Sequence, residues 1–256
     1  GDIDMSKTKI YAHRGASGEY PENTLLSFRK AIETGVDGIE CDIHLTKDEE
    51  LVVIHDEEVK RTFKGEGFVN DYTLDELRAL TLAERYQQFP LYDRSWELEK
   101  IPTLEEVLKL LQGTEIELNI ELKTTMFPYF GLAEKAVKLV KKYQYEEQVV
   151  YSSFHYPSLA AIKEVDTSAK IAWLVAHPVP RIWEYIPVLS LDGLHLSKEI
   201  GLGSDYAQLK GACQNLPIRL WTINSSQDMK ASIGQDSTAL MTDFPRKALE
   251  IRALFS

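Results

Sequence analysis

An α/β chain folded as a closed (β/α)8 barrel is what this sequence predicts, on three observations. Short apolar runs alternate with amphipathic helical patterns, which calls for parallel strands joined by helical crossovers. The runs begin at Ile10, Val36, Ile116, Val149, Ile171, Gly193, Ile218 and Ala239, which makes eight. At 256 residues the chain also matches the roughly 250 that such a barrel uses, so one domain over 1–256 accounts for all of it. A doubly wound open sheet is the alternative. The barrel is preferred because charged strand-end groups start at the first run and recur along the chain.

The elements follow in order. Residues 10–13 make the first strand, and 24–34 a helix with Leu25, Phe28 and Ile32 on one face, Asn23 as N-cap and Gly35 as its stop. The second strand spans 36–42. The apolar run 51–54 comes too soon for a parallel crossover of about a dozen residues. It must return antiparallel, turning at Lys47-Asp48-Glu49-Glu50, which sets His55 beside Asp42 and over the barrel mouth. Residues 57–100, rich in charge, Gly and Tyr with one helical pattern at 74–80, read as an inserted lobe beside that mouth. Thr103 and Glu106 form a capping box for the next helix. Strands are then expected at 116–122, 149–153, 171–175, 193–196, 218–223 and 239–242. Helices are expected at 132–143, 157–165, 205–213, 226–233 and 244–254.

Composition narrows the function. The balance of 29 basic against 40 acidic residues, net −11, disfavours nucleic acid and anionic membrane surfaces. No apolar run reaches the roughly 18 residues of a spanning helix, so no stable membrane association is expected. Residues 1–9 are polar without a signal-peptide core, and the expected location is cytoplasmic. Two cysteines make no disulfide framework, and Cys41 reads as a packing residue inside a strand.

The chemistry lies in the first half. Glu40 and Asp42 are two apart on a strand and so face one way, as do Glu121 and Lys123. Each pair alone reads as an ordinary strand-end salt bridge. Together, three carboxylates from two strand ends form a hard oxygen site suited to one divalent metal, Ca²⁺ or Mg²⁺, rather than zinc. Like charges converging there are costly without a cation. His13 and His55 flank the set as an acid/base pair, one taking a proton and the other giving one. Arg14 can grip a phosphate through two parallel hydrogen bonds, and Lys123 adds local positive charge. Glu22-Asn23-Thr24 opens the first helix, whose N-terminus favours an anion. Trp221 either packs on the carbon face of a polyol or fills the barrel. His44 is expected to be solvated or to support its neighbours. His155, His177 and His195 read as structural, and Ser153-Phe154 and Thr242-Asp243 as supporting groups.

The set His13-Arg14-Gly15, Pro21-Glu22-Asn23-Thr24, Glu40-x-Asp42, His55-Asp56 and Glu121-x-Lys123 resembles the glycerophosphodiester phosphodiesterase family. The likeness extends through Thr73-Leu74-Asp75-Glu76-Leu77, Ser152-Ser153-Phe154, Trp221-Thr222-Ile223-Asn224 and Thr242-Asp243-Phe244-Pro245. The resemblance implies a TIM barrel with an inserted lobe after the hairpin. It implies His13 and His55 as the catalytic residues, and Glu40, Asp42 and Glu121 as metal ligands. Arg14 and Lys123 would bind phosphate, with Trp221 near the glycerol. The implied reaction is metal-dependent hydrolysis of a small glycerophosphodiester to sn-glycerol 3-phosphate and an alcohol. The hairpin tip departs from the family in carrying Glu49-Glu50 where a glycine is usual, which leaves the turn type open. A competing reading is a phospholipase D-like hydrolase of lysolipid or sphingolipid head groups, with Phe127, Pro128, Tyr129 and Phe130 as an apolar mouth. A non-catalytic phosphodiester binder would lack a histidine or a metal carboxylate, and none is missing here.

Overall fold

Period-two alternation sorts the strand residues of this protein into an outer apolar set and an inner polar one. In the computed structural model, which describes residues 7–255, Ile39, Cys41 and Ile43 pack outward under the helices, as do Leu118, Ile120 and Leu122. The intervening Glu40, Asp42, Asn119 and Glu121 face inward. Most of the polar N-terminal stretch, residues 1–6, lies outside the described residues, as does residue 256.

The strands are β1 (Lys9–His13), β2 (Gly38–Leu45), β3 (Leu51–Val53), β4 (Glu117–Leu122) and β5 (Val149–Ser153). They continue as β6 (Lys170–Val175), β7 (Gly193–Ser197), β8 (Ile218–Trp221) and β9 (Ala239–Thr242). All but β3 are parallel neighbours, and β1 pairs with both β2 and β9, which closes an eight-stranded barrel. Helix α1 (Leu25–Thr34) follows β1, α2 (Leu74–Arg78) lies in the lobe and α3 (Leu104–Leu111) leads into β4. Helices α4 (Leu132–Lys142) and α5 (Tyr156–Val165) follow β4 and β5, and the short α6 (Tyr185–Val188) follows β6. After β7 come α7 (Lys198–Gly201) and α8 (Tyr206–Cys213), then α9 (Ser226–Gly234) after β8 and α10 (Pro245–Ala253) after β9. Among the described residues no helix is long and apolar enough to cross a membrane.

Helix α3 shows what holds the outer layer. Thr103 and Glu106 form the expected capping box, and Leu104, Val107, Leu108 and Leu111 are all buried. Each such side chain contributes roughly 1.5–3 kcal/mol by leaving water. A second apolar cluster, with Val59, Phe63, Leu77, Tyr86 and Trp96, sits between β3 and α3 and gives the inserted segment a core of its own.

Three sequence expectations are corrected. Strand β2 begins at Gly38 rather than Val36 and runs on to Leu45, because pairing with β3 extends its ladder beyond the barrel. Asp42 is therefore inside a strand rather than at its end. The cap of α1 is Thr24, whose hydroxyl accepts from the Ser27 amide, while Asn23 sits in the left-handed region at φ +54° and is free for other work. The hairpin register differs by one residue. Leu45 pairs with Leu51, and the Thr46 amide donates to Glu50 O at 3.0 Å, so Thr46 closes a turn over Lys47-Asp48-Glu49. Ile54, not His55, stands opposite Asp42, its amide donating to Asp42 O at 3.1 Å.

Glu49 takes the left-handed position of this three-residue turn at φ +61°, the position that favours glycine. A Cβ there costs about 1–2 kcal/mol, partly offset by the chain entropy that a glycine loses on folding. Glu49→Gly is expected to stabilise the protein by about 0.5–1 kcal/mol. That is a rise of roughly 2–3 °C in a thermal melt, and a fall in melting temperature would contradict this account of the turn.

Candidate active site

Strand register assembles the site. His13 lies opposite Glu40 across β1–β2, Asp42 lies opposite Glu121 across β2–β4, and Glu40 lies opposite Asn119. The inward side chains of three adjacent strands thus meet at one end of the barrel. His13, Glu40, Asn119 and Glu121 line a cavity of about 110 Å³ that also receives Arg14, His55, Lys123, Phe154 and Trp221, while Asp42 is buried beside them.

Glu40, Asp42 and Glu121 each place a carboxylate oxygen within 4.8 Å of the other two. Glu40 Oε1 and Asp42 Oδ1 are buried with no hydrogen-bond partner. Burial, with Asp42 and Glu121 alongside, pushes the Glu40 carboxyl well above its ordinary range. Burial and the Asp42 charge push Glu121 up to about 7. Burial works against the charge of Asp42 too, but His55, Arg14 and Lys123 outweigh it and hold that carboxyl well below the usual range. Asn23 adds a direct bond, its Nδ2 donating to Asp42 Oδ2 at 3.0 Å. Orphaned buried oxygens and an all-carboxylate donor set fit a hard divalent cation.

Each histidine is held from behind by a carboxylate. His13 Nδ1 lies 2.8 Å from Asp243 Oδ1, and His55 Nδ1 lies 2.7 Å from Asp56 Oδ1. Burial opposes the Asp243 charge, but the bond from His13 and further donors bring its carboxyl down to about 2. Hydrogen bonding from His55 holds Asp56 well below the ordinary range against partial burial. Both carboxylates are therefore ionised acceptors, so each Nδ1 carries the proton and each Nε2 is turned toward the cavity. His13 Nε2 is 3.5 Å from Glu40 Oε2, and His55 Nε2 is 3.4 Å from Lys123 Nζ.

Two cations stand beside the carboxylates. Arg14 Nη1 donates to Glu22 Oε2 at 2.9 Å and its Nε lies 3.7 Å from Asp42 Oδ2. Lys123 Nζ is 3.3 Å from Glu121 Oε2. Trp221 lines the cavity, stacks edge-on against Phe154 and donates its Nε1 to His195 O at 3.0 Å. His195 is fully buried, and burial with nearby Arg219 pulls its pKa well down, so it is a neutral structural residue. His44 is buried rather than solvated: Nδ1 meets the Tyr129 hydroxyl at 2.8 Å and Nε2 meets His55 O at 3.0 Å. It supports the residue that carries the second imidazole.

Sequence reading did not assign Asp243 to His13, Asn23 to Asp42 or any role to Arg61. One signal was present for Asp243: a closed barrel puts the residue after β9 beside the end of β1, since Ala12 pairs with Thr242.

A sequence model of the Glycerophosphoryl diester phosphodiesterase family matches residues 13–247. A glycerophosphodiester phosphodiesterase of Bacillus altitudinis is 37% identical over 247 residues, 96% of this chain and 98% of that one. A human (Homo sapiens) lysophospholipase D is 26% identical, covering 97% of this chain and 87% of the relative. The solved structure of an Oleispira antarctica phosphodiesterase in complex with the product sn-glycerol-3-phosphate superposes with a TM-score of 0.84. It is 27% identical and covers 98% of both chains. The fold and the site define a barrel enzyme of phosphoric diester chemistry. The chain belongs to the glycerophosphoryl diester phosphodiesterase family.

The raised carboxyls give a pH test. Glu121, at about 7 against an ordinary 4.5, binds its proton more tightly folded than unfolded. Its contribution to stability is therefore present at acid pH and is lost as pH rises through that window. A cation must displace this proton and the one on Glu40, so the melting-temperature rise produced by Ca²⁺ or Mg²⁺ should be small near pH 5 and grow toward pH 8. At a hundredfold excess over Kd it should approach about 2.7 kcal/mol, or roughly 5–10 °C. No cation effect at the upper pH would count against a metal in this cluster.

Proposed function

We propose that this protein hydrolyses small glycerophosphodiesters to sn-glycerol 3-phosphate and an alcohol, with Glu40, Asp42 and Glu121 holding one Ca²⁺ or Mg²⁺ and His13 and His55 exchanging protons with the substrate. The observation that carries the reading is that two carboxylate-backed imidazoles line, together with Glu40 and Glu121, the cavity beside the three-carboxylate cluster. A bound cation supplies neutralisation of the carboxylates and polarisation of a phosphoryl oxygen.

The chain's own groups do the rest. Arg14 and Lys123 bind the phosphate oxygens, each already oriented by a carboxylate partner. One Nε2 takes the proton of the attacking oxygen, of water directly or of the neighbouring glycerol hydroxyl with water opening the cyclic phosphate in a second step, and the other, as imidazolium, protonates the departing alcohol oxygen. The P–O bond to the attacking oxygen forms as the bond to the leaving alcohol breaks. Asp243 and Asp56 stabilise whichever imidazolium is present. Trp221 faces the glycerol carbons, and Leu174 and Met241 complete an apolar wall that limits water.

The lysolipid reading rests on the loop after Lys123, where Phe130 is 85% and Met126 58% exposed. The other members of the expected apolar mouth weaken it. Tyr129 is buried against His44, and Phe127 packs edge-on against Phe68. The cavity itself suits a small head group.

The decisive assay is release of sn-glycerol 3-phosphate from glycerophosphocholine and glycerophosphoethanolamine by enzyme stripped with chelator and then restored with Ca²⁺ or Mg²⁺. Release that depends on the cation and is lost in His13→Ala is expected. Release unaffected by chelation would remove the metal from the mechanism, and preference for lysophospholipid would favour the second reading. Asp243→Asn keeps the shape but loses the charge behind His13, and kcat is expected to fall about 10- to 100-fold. An unchanged kcat would deny His13 its role.

A further inference from the structure

We infer that Arg61, a residue of the inserted lobe, is a positioning residue whose single guanidinium clamps Glu22 and Asp56 together and thereby fixes the spacing between Arg14 and His55. The inference rests on the proposed roles of those two groups. Arg61 Nη1 and Nη2 donate to the two oxygens of Glu22 at 2.7 and 2.8 Å. Nε and Nη2 donate to the two oxygens of Asp56 at 2.8 and 3.1 Å. Both carboxylates are thus gripped bidentately by one planar fork.

Each carboxylate passes the constraint on. Glu22 accepts from Arg14 Nη1 at 2.9 Å, and Asp56 accepts from His55 Nδ1 at 2.7 Å. Glu22 precedes α1, whereas Asp56 follows β3, so the two come from separate parts of the chain. Without a shared cation their charges would drive them apart. With it, the chain His55–Asp56–Arg61–Glu22–Arg14 is a continuous run of hydrogen bonds from the imidazole to the phosphate grip. The lobe has its own apolar core, in which Val59 and Phe63 flank Arg61 on either side in sequence. The backbone that carries the guanidinium is therefore anchored by that core, which also takes in Val52 of β3 and Leu26 of α1. A lysine could supply the charge but not four directed donors in one plane.

The test uses cation-loaded enzyme and the variants Arg61→Lys and Arg61→Ala, with Arg14→Ala and His55→Ala as controls. Arg61→Lys keeps the charge and is expected to melt within a few degrees of wild type. Its kcat/KM should nonetheless fall about 10- to 100-fold, the loss typical of a misplacement near 1 Å. Its Kd for sn-glycerol 3-phosphate, read by calorimetry, should weaken about fivefold or more, since the grip of Arg14 is loosened. In Arg61→Ala, added guanidinium ion should restore activity saturably. Wild-type kcat/KM and product affinity in Arg61→Lys would overturn the clamp, and so would thermal destabilisation of Arg61→Ala with no guanidinium rescue. Should Arg61→Ala not fold, Arg61→Lys decides alone. Activity retained by both Arg14→Ala and His55→Ala would instead overturn the reading of the site, and this inference with it.

Discussion

Mutual repulsion among three converging carboxylates, two of them buried and one partly so, is the constraint around which the rest of the site is arranged. Glu40 is 3% exposed and Asp42 fully buried, and each keeps an oxygen with no internal donor. A packed core normally eliminates such atoms, because leaving them unsatisfied costs about 1–3 kcal/mol each and more for charged groups. Here they are held in place by strands whose outward faces are fully committed. Ile39, Cys41 and Ile43 on β2, and Leu118, Ile120 and Leu122 on β4, are locked under helices, and period two forces the intervening acids inward. The hydrophobic layer outside the barrel therefore supplies the rigidity that keeps like charges together inside it.

The same logic explains why the two imidazoles are equivalent in orientation but not in origin. His13 sits on a barrel strand, and its carboxylate arrives from β9 only because the barrel closes. His55 sits on the return limb of a hairpin that overshoots the barrel, and its carboxylate is the next residue. The hairpin limb is steadied by His44, whose two ring nitrogens reach Tyr129 and the His55 carbonyl. Two unlike supports converge on one result, an Nε2 directed at the cavity. The proposed acid and base thus differ in how each can be disturbed. His13 is bound to the integrity of the whole barrel, and His55 to a local turn and the lobe behind it.

What the sequence made legible follows from the range of each interaction. The eight barrel strands and most helices were readable because their burial pattern is local and periodic, as were the i, i+2 pairs Glu40/Asp42 and Glu121/Lys123. The one-residue error in the hairpin arose at Glu49, which occupies a left-handed position without the glycine that normally marks it. Asn23 was misread because Asn and Thr are comparable caps, and the choice of Thr24 depends on Asp42 lying 3.0 Å from the Asn23 amide. Asp243 and His13 are 230 residues apart, and only barrel closure joins them. Arg61 lies in a segment of short 3-10 turns and one five-residue helix, where no periodicity reports which way a side chain points.

The charge inventory of the assembled site shows why a net-acidic protein can still take an anion. Six carboxylates meet there, from Glu22, Glu40, Asp42, Asp56, Glu121 and Asp243, against the three permanent cations Arg14, Arg61 and Lys123. Asp56 and Asp243 each face an imidazole, and Glu22 is shared by two arginines, so those three are locally compensated. The excess negative charge lies in the trio Glu40, Asp42 and Glu121, where Arg14 approaches Asp42 and Lys123 pairs with Glu121. Excess positive charge elsewhere on the surface is not needed. In the proposed reaction, neutralising the trio by a cation or by protons would weaken the hold of Asp42 and Glu121 on Arg14 and Lys123 and leave the two cations for a phosphate. The raised carboxyls of Glu40 and Glu121 follow from the same crowding, because burial and the neighbouring negative charges disfavour full ionisation of the trio.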